Sequence, residues 1–204
     1  MMLLRPTVAL LTAACCLTAQ SRKPEDLAQG KILVTPRNPP DPHFADSVIL
    51  LARYNESGAV GLMVNRRTEV PVSRVLKELQ SAAKHSEPVY VGGPVELDTV
   101  MALTRAPKTP DGADRVLGDI HLLMAKAALE KALGERDANN LHVYLGYCGW
   151  GPHQLENEMR LGGWFIFDRS VDLAFDSDPE TLWTRMIART EQQIVRLAFI
   201  PPGR

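Results

Sequence analysis

Cys148 and His153 are the cysteine and histidine that stand close together in this sequence, separated by Gly149, Trp150, Gly151 and Pro152. A thiol at a strand-to-helix turn can have its thiolate favoured by the amides of the helix N-terminus, and an adjacent imidazole would supply the base that a nucleophile needs. A lone cysteine among glycines has a plainer use as a small packing residue, and that use is the one expected for Cys148. His153 and Glu156 are three apart, so a helix puts them on one face. With Asp41 or His43 folded alongside, they would offer a divalent cation an imidazole and carboxylate oxygens. The same spacing recurs where no metal binds, and Gln154, Glu156 and Glu158 equally suit the capping of a helix start. The glycines Gly92-Gly93 and Gly149 to Gly151 match neither Gly-x-x-x-x-Gly-Lys-Ser/Thr nor Gly-x-Gly-x-x-Gly, so tight turns and close backbone packing explain them better than a phosphate loop. Asn65, Arg66 and Arg67 form a small basic knot that reads as a solvated turn. From the residues alone, no catalytic set, metal site or cofactor is expected.

These side chains meet only if a folded domain carries them. The 204 residues, at 22.5 kDa, suffice for one domain with a core and are few for two. Hydrophobic residues at 45% and charged residues at 23% exclude a disordered chain and a polytopic membrane protein. A formal net charge of -1 leaves no cationic excess for phosphate backbones, and no helix-turn-helix or zinc pattern is present, so nucleic acid is not an expected partner.

The elements alternate in type along the chain. Lys31 to Thr35 is a β-branched strand followed by a stiff loop carrying Pro36, Pro39, Pro40 and Pro42. Ser47 to Tyr54 and Ala59 to Asn65 are apolar runs joined by Asn55 to Gly58, which predicts a central hairpin covered on both faces. Val72, Val75, Leu76 and Leu79 have helical spacing and predict one amphipathic helix after Pro71. Short strands are expected at Val89 to Val91, Thr99 to Thr104, Leu141 to Leu145 and Trp164 to Phe167, with a helix over Leu123 to Leu133. Gly146 to Gly151 reads as a turn, Pro152 as the first turn of a helix through Met159, and Gly162-Gly163 as its stop. Asp178 and Pro179 open a last amphipathic helix.

The N-terminus differs from the rest. Arg5 precedes an apolar run from Pro6 to Ala19, too short for an ordinary membrane span and of the length of a signal-peptide core. Residues 1–19 are therefore expected to be a signal peptide, 20–29 a polar linker and 30–204 the domain, in a protein that is exported and periplasmic. A lipid anchor at Cys15 or Cys16 is one alternative, and would be the chain's sole link to a membrane. A cytoplasmic protein with a mis-assigned start is the other.

The ordered motifs across Gly30 to Ala188 resemble the AlgH/YqgE family. They are Asp41-Pro42-His43-Phe44 after a strand, Gly58 to Arg66 (GAVGLMVNR), Gly92-Gly93-Pro94-Val95, and, most specifically, Gly146 to Glu158 (GYCGWGPHQLENE). The sequence departs from that pattern at Cys148, where a small residue such as Ala is common, at Arg67, where Pro is frequent, and in its leader. The resemblance implies a mixed α/β (α+β) single domain whose strands curl into a barrel-like sheet flanked by helices. It implies no reaction, since the family has no established activity; one member carries the label of a transcriptional regulator of alginate synthesis. The function expected is that of a non-enzymatic accessory or regulatory protein that binds an unidentified protein partner through Asp41, Phe44, Asn65, Trp150, His153, Gln154 and Glu156. The rival is a small-ligand, metal-binding or hydrolase-like protein built on Asp41, Cys148, His153 and Glu156. Convergence of those four in one concavity would favour the rival.

Overall fold

A computed structural model describes residues 20–135 and 140–198. The signal-peptide reading of residues 1–19 lies outside the described residues. In chain order the strands are β1 (Gln20–Ser21), β2 (Ile32–Val34), β3 (Val48–Asn55), β4 (Gly58–Met63), β5 (Arg67–Pro71) and β6 (Pro88–Val91). They continue with β7 (Val95–Arg105), β8 (Ala113–Leu117), β9 (Ile120–Leu123), β10 (Leu141–Trp150) and β11 (Phe165–Phe167). The helices are α1 (Val72–Val75), α2 (Lys126–Glu135), α3 (Gln154–Arg160), α4 (Val171–Ala174) and α5 (Pro179–Ala198). The strands form a single sheet in the order β1-β11-β2-β3-β4-β10-β7-β9-β8, with β6 pairing β10 and β5. Over the described residues this is an α+β domain with a curled, mostly antiparallel half-barrel sheet and five α-helices, the class expected from the sequence. Among the described residues no helix is long and apolar enough to cross a membrane.

The curl originates in β10. The expected turn at Gly146 to Gly151 is instead a continuation of the strand. Leu141 to Tyr147 pair with β7 and Tyr144-Leu145 run parallel to β6, while Cys148 to Trp150 pair with β4. The handover falls at a register shift between Leu145 and Tyr147, where Gly146 adopts φ 68. A glycine takes that left-handed conformation without a Cβ penalty, so the strand bends instead of ending. Gly92 and Gly93 act in the same region by close approach: a Cβ on Gly93 would stand 2.1 Å from the Tyr147 carbonyl carbon. The packing explanation of the glycine pair therefore holds.

The central hairpin forms as expected, β3 against β4, and its two faces are both covered. Val48, Leu50 and Ala52 join Ile32, Val34, Tyr144 and Phe167 inside the curl, where Leu182, Met186 and Ile187 of α5 close it. Ile49 and Leu51 point the other way, towards Leu155 and Met159 of α3. A third cluster packs α2 and the 72–84 segment on β7, β9 and β10.

Two further expectations are corrected. The helix from Val72 is a single turn, because Leu76 leaves helical geometry at φ -103, ψ 46 and the following amides reach back only three residues (Leu79 to Leu76, Ala82 to Leu79, each 3.0 Å). Its apolar spacing still marks the buried face: Val72, Leu76, Leu79 and Ala82 are all buried. Second, α3 starts at Gln154 and not at Pro152, since His153 sits at φ 63 as the residue before the helix. Residues 20–29 make contacts with the domain. Gln20 and Ser21 pair with Phe167 and Ile166, Arg22 lies 3.9 Å over the Phe165 ring, and Leu27 is 6% exposed.

Candidate functional site

Asp41 caps the short turn Pro42–Phe44 by accepting the His43 amide at 2.9 Å, and that bond, strengthened by the His43 ring, holds its carboxyl below the usual range. The prolines before it remove amide donors and fix φ, which leaves the loop stiff. Asn65 and Arg66 tie this loop to the sheet. Asn65 accepts the Val48 amide at 2.8 Å and donates to the Asp46 carbonyl at 2.8 Å. Arg66 donates to the carbonyls of His43 and Ala45 at 2.8 and 2.9 Å. The basic knot is thus no solvated turn at Arg66, whose guanidinium is spent on the backbone that presents Phe44.

Phe44 faces two indoles. Its ring stacks on Trp150, with centroids 6.2 Å apart and planes at 15°, and meets Trp164 edge-on at 5.2 Å and 72°. Trp150 and Trp164 meet at 5.9 Å and 79°. Both indole N–H groups donate to one oxygen of Glu158, at 2.9 and 2.8 Å, and Gln154 donates to the other at 3.0 Å. Gln154 in turn accepts the Gly151 amide at 3.1 Å. A single carboxylate therefore fixes both indoles from the same helical face, since Gln154 and Glu158 are one turn apart. Together these groups wall a cavity of about 260 Å³ with Pro39, Pro40, Asp41 and Leu161 at its edge. Leu161 is 84% exposed.

Of the residues expected at the site, Asp41, Phe44, Trp150 and Gln154 line this cavity, and Asn65 supports it from behind. His153 and Glu156 do not line it. His153 is exposed and makes no capping bond. Glu156 lies on another face of α3, where it accepts the Tyr54 hydroxyl at 2.6 Å. Burial pushes the Tyr54 hydroxyl up to about 12, helped by that bond. Burial alone would raise Glu156, but the Tyr54 bond, its own backbone amide and the nearby charge of Arg160 outweigh it and hold it low. Cys148 is fully buried, donates to the Gly92 carbonyl at 3.4 Å, and has its thiol pushed well above the ordinary value by burial. It therefore lies in a strand and not at a helix N-terminus, with no bond to His153. Among the described residues no group of His, Cys, Asp or Glu is arranged to hold a metal. The four residues of the rival reading do not converge.

Glu158 and Trp164 belong to the site and were not singled out. The signal was present: Gln154 and Glu158 at i, i+4, and a second tryptophan just past the helix stop.

Residues 32–195 match a family model described as AlgH-like. An uncharacterised UPF0301 protein of Streptomyces avermitilis is 34% identical over 181 residues, covering 84% of this chain and 91% of the relative. Another, from Chlorobium phaeobacteroides, is 32% identical and covers 88% and 96%. The solution structure of the AlgH protein from Pseudomonas aeruginosa superimposes with a TM-score of 0.66 at 25% identity, covering 85% of this chain and 94% of that one. A crystal structure from Corynebacterium diphtheriae gives the same score at 22% identity and attests the fold. The Asp41 to Phe44 turn, the Asn65-Arg66 tie and the strand-to-helix segment ending at Glu158, which make one cavity here, lie within the matched span, and this chain belongs to the AlgH-like (UPF0301) family.

Proposed function

We propose that the protein is a non-enzymatic accessory or regulatory protein that docks an apolar side chain of a protein partner into the cavity formed by Phe44, Trp150 and Trp164. The observation carrying this reading is an aromatic cavity, held rigid by Glu158, beside a leucine that is 84% exposed. An isolated exposed leucine is ordinary; one at the rim of an aromatic hollow adds to a contiguous apolar surface of the kind that marks interaction sites. At about 260 Å³ the cavity falls just below the ~300–1,000 Å³ usual for small-molecule sites and suits one or two side chains. The two indole N–H groups, Gln154 and Glu158 satisfy one another, so this part of the wall offers a partner mainly shape and apolar area.

The test is site-specific photo-crosslinking in the native organism. A photoreactive residue at position 161 is expected to capture one defined protein, and the capture should vanish in Phe44→Ala. The same residue at Leu97, 63% exposed and outside the cavity, serves as the control. Equal capture from both positions, or capture indifferent to Phe44→Ala, defeats the proposal.

A further inference from the structure

A second concavity, of about 450 Å³, lies between β6 and the chain entering α5, well within the volume range of small-molecule sites. The imidazole of His142 is part of its lining. That ring is clamped between Tyr90, stacked at 4.8 Å and 24°, and Phe175, at 4.4 Å and 30°. With both faces covered, the ring can present only its edge. Its Nδ1 is buried without a hydrogen-bond partner, although buried polar atoms are nearly always paired.

The charges around it are unequally committed. Asp176 is paired with Arg185 at 2.6 Å and Glu87 with His85. Arg67, by contrast, is exposed and has no carboxylate within 4.0 Å among the described residues. Arg105 reaches Asp119 and Asp172 only at 3.6 and 3.7 Å, and its guanidinium sits 5.5 Å over the Phe175 ring. Arg67 is therefore the cation in the wall with no carboxylate partner among the described residues, and Arg105 is held only by two longer contacts; both carry guanidinium forks, whose geometry suits two-oxygen anions. Pro88 and Pro179 add apolar wall.

We infer that this cavity is a binding site for a small molecule that carries a phosphate or carboxylate group on a ring or other apolar body. The oxyanion accepts from Arg67 and Arg105, the His142 edge supplies a further N–H, and the body rests against Pro88 and Pro179. An inorganic anion alone would leave most of the volume unfilled.

Nitrogen-detected or long-range proton–nitrogen NMR of the histidine rings reads the site directly. The chain is titrated at neutral pH with inorganic phosphate, phenyl phosphate, acetate and phenylacetate. The expected result is a saturable shift of the His142 ring signals, at lower concentration for the phenyl-bearing member of a pair than for its bare anion. Whether the phosphate or the carboxylate pair saturates first identifies the oxyanion. Arg67→Ala removes an exposed side chain and should weaken binding about tenfold with an unchanged melting curve. Arg105→Ala is the second test should Arg67→Ala alter folding, and Phe44→Ala should leave the titration unchanged. No saturable shift with any of the four compounds, or a titration indifferent to both arginine substitutions, overturns the inference.

Discussion

At the scale of single residues, the described side chains sort by what burial has done to them. Cys148 is fully covered and its thiol is raised by burial, so at neutral pH it is protonated and unreactive. In a chain beginning at Gln20 it is the only cysteine, and alkylation of the native protein should be negligible until denaturant is added. Cys148→Ala keeps most of the volume and is expected to cost at most about 1.5 kcal/mol in urea unfolding. Trp150 is 4% exposed and donates to Glu158, so its main work is structural even though one ring edge walls the cavity. Trp150→Ala should lose about 3–5 kcal/mol of stability, and a variant melting like the parent would overturn that assignment. His142 carries a pH signature. Its burial, with the charge of Arg67 adding to it, pushes its pKa from 6.5 down to about 4. The folded value lies below the unfolded one, so the unfolded chain takes the proton first. The stability contributed by the neutral ring is then complete above about pH 6.5 and is lost as pH falls towards 4, with a full span of roughly 3 kcal/mol. Between those pH values the parent should lose unfolding free energy more steeply than His142→Phe; parallel profiles would remove the basis of this account.

At the scale of elements, the cavity depends on a loop and a helix that the sheet holds from two sides. Arg66 donates three hydrogen bonds to the 43–47 stretch, to two carbonyls and the Ser47 hydroxyl. Arg66→Ala leaves those acceptors to water, since the loop is partly exposed, and is expected to cost about 1–3 kcal/mol. Faster amide exchange over residues 41–47, with α5 unchanged, is the sign to measure; uniform exchange changes would place the role of Arg66 elsewhere. The hairpin at Asn55 to Gly58 and the start of α5 at Asp178-Pro179 were legible because turn and cap chemistry acts over four residues or fewer. The helix after Pro71 was misread in length because spacing reports which residues are buried, and Val72, Leu76 and Leu79 are buried whether the backbone makes α or tighter turns. β8 escaped notice because it is an edge strand, with Asp114 and Arg115 exposed and only Val116 buried, so alternation is nearly absent. The continuation of β10 through Cys148 was hidden by its glycines, which locally signal a turn and serve here for a bend and for close strand approach. Half of the site was legible from residue types in the motifs. Glu158 and Trp164 left a signal in their spacing, but that both indole N–H groups meet on one carboxylate follows only once α3 folds back against β10.

At the scale of the whole molecule, Gln20, the first described residue, already lies in a strand. Gln20 and Ser21 extend the β11 edge, Arg22 covers the Phe165 ring, and Gln29 donates to the Arg115 carbonyl at 2.6 Å. Leu27 is 6% exposed in the same cluster as Trp150 and Trp164, so these ten residues support the aromatic cavity as well as the sheet edge. A chain starting at Gly30 keeps the whole family-matched span and loses one buried leucine, worth about 2–5 kcal/mol when truncated, with a strand pair besides. Since 1 kcal/mol shifts the midpoint of a domain this size by about 2–4 °C, the truncated chain should melt at least about 4 °C below one starting at Gln20. If the two melt together, residues 20–29 are a linker after all. A peptidase cut as late as Gly30 would remove this strand pair and weaken the domain. N-terminal sequencing of the native protein from an envelope extract is expected to read Gln20 first. Recovery of Met1 from the cytosolic fraction would show the leader to be uncleaved, and a lipid-modified Cys15 or Cys16 would show that the chain is anchored.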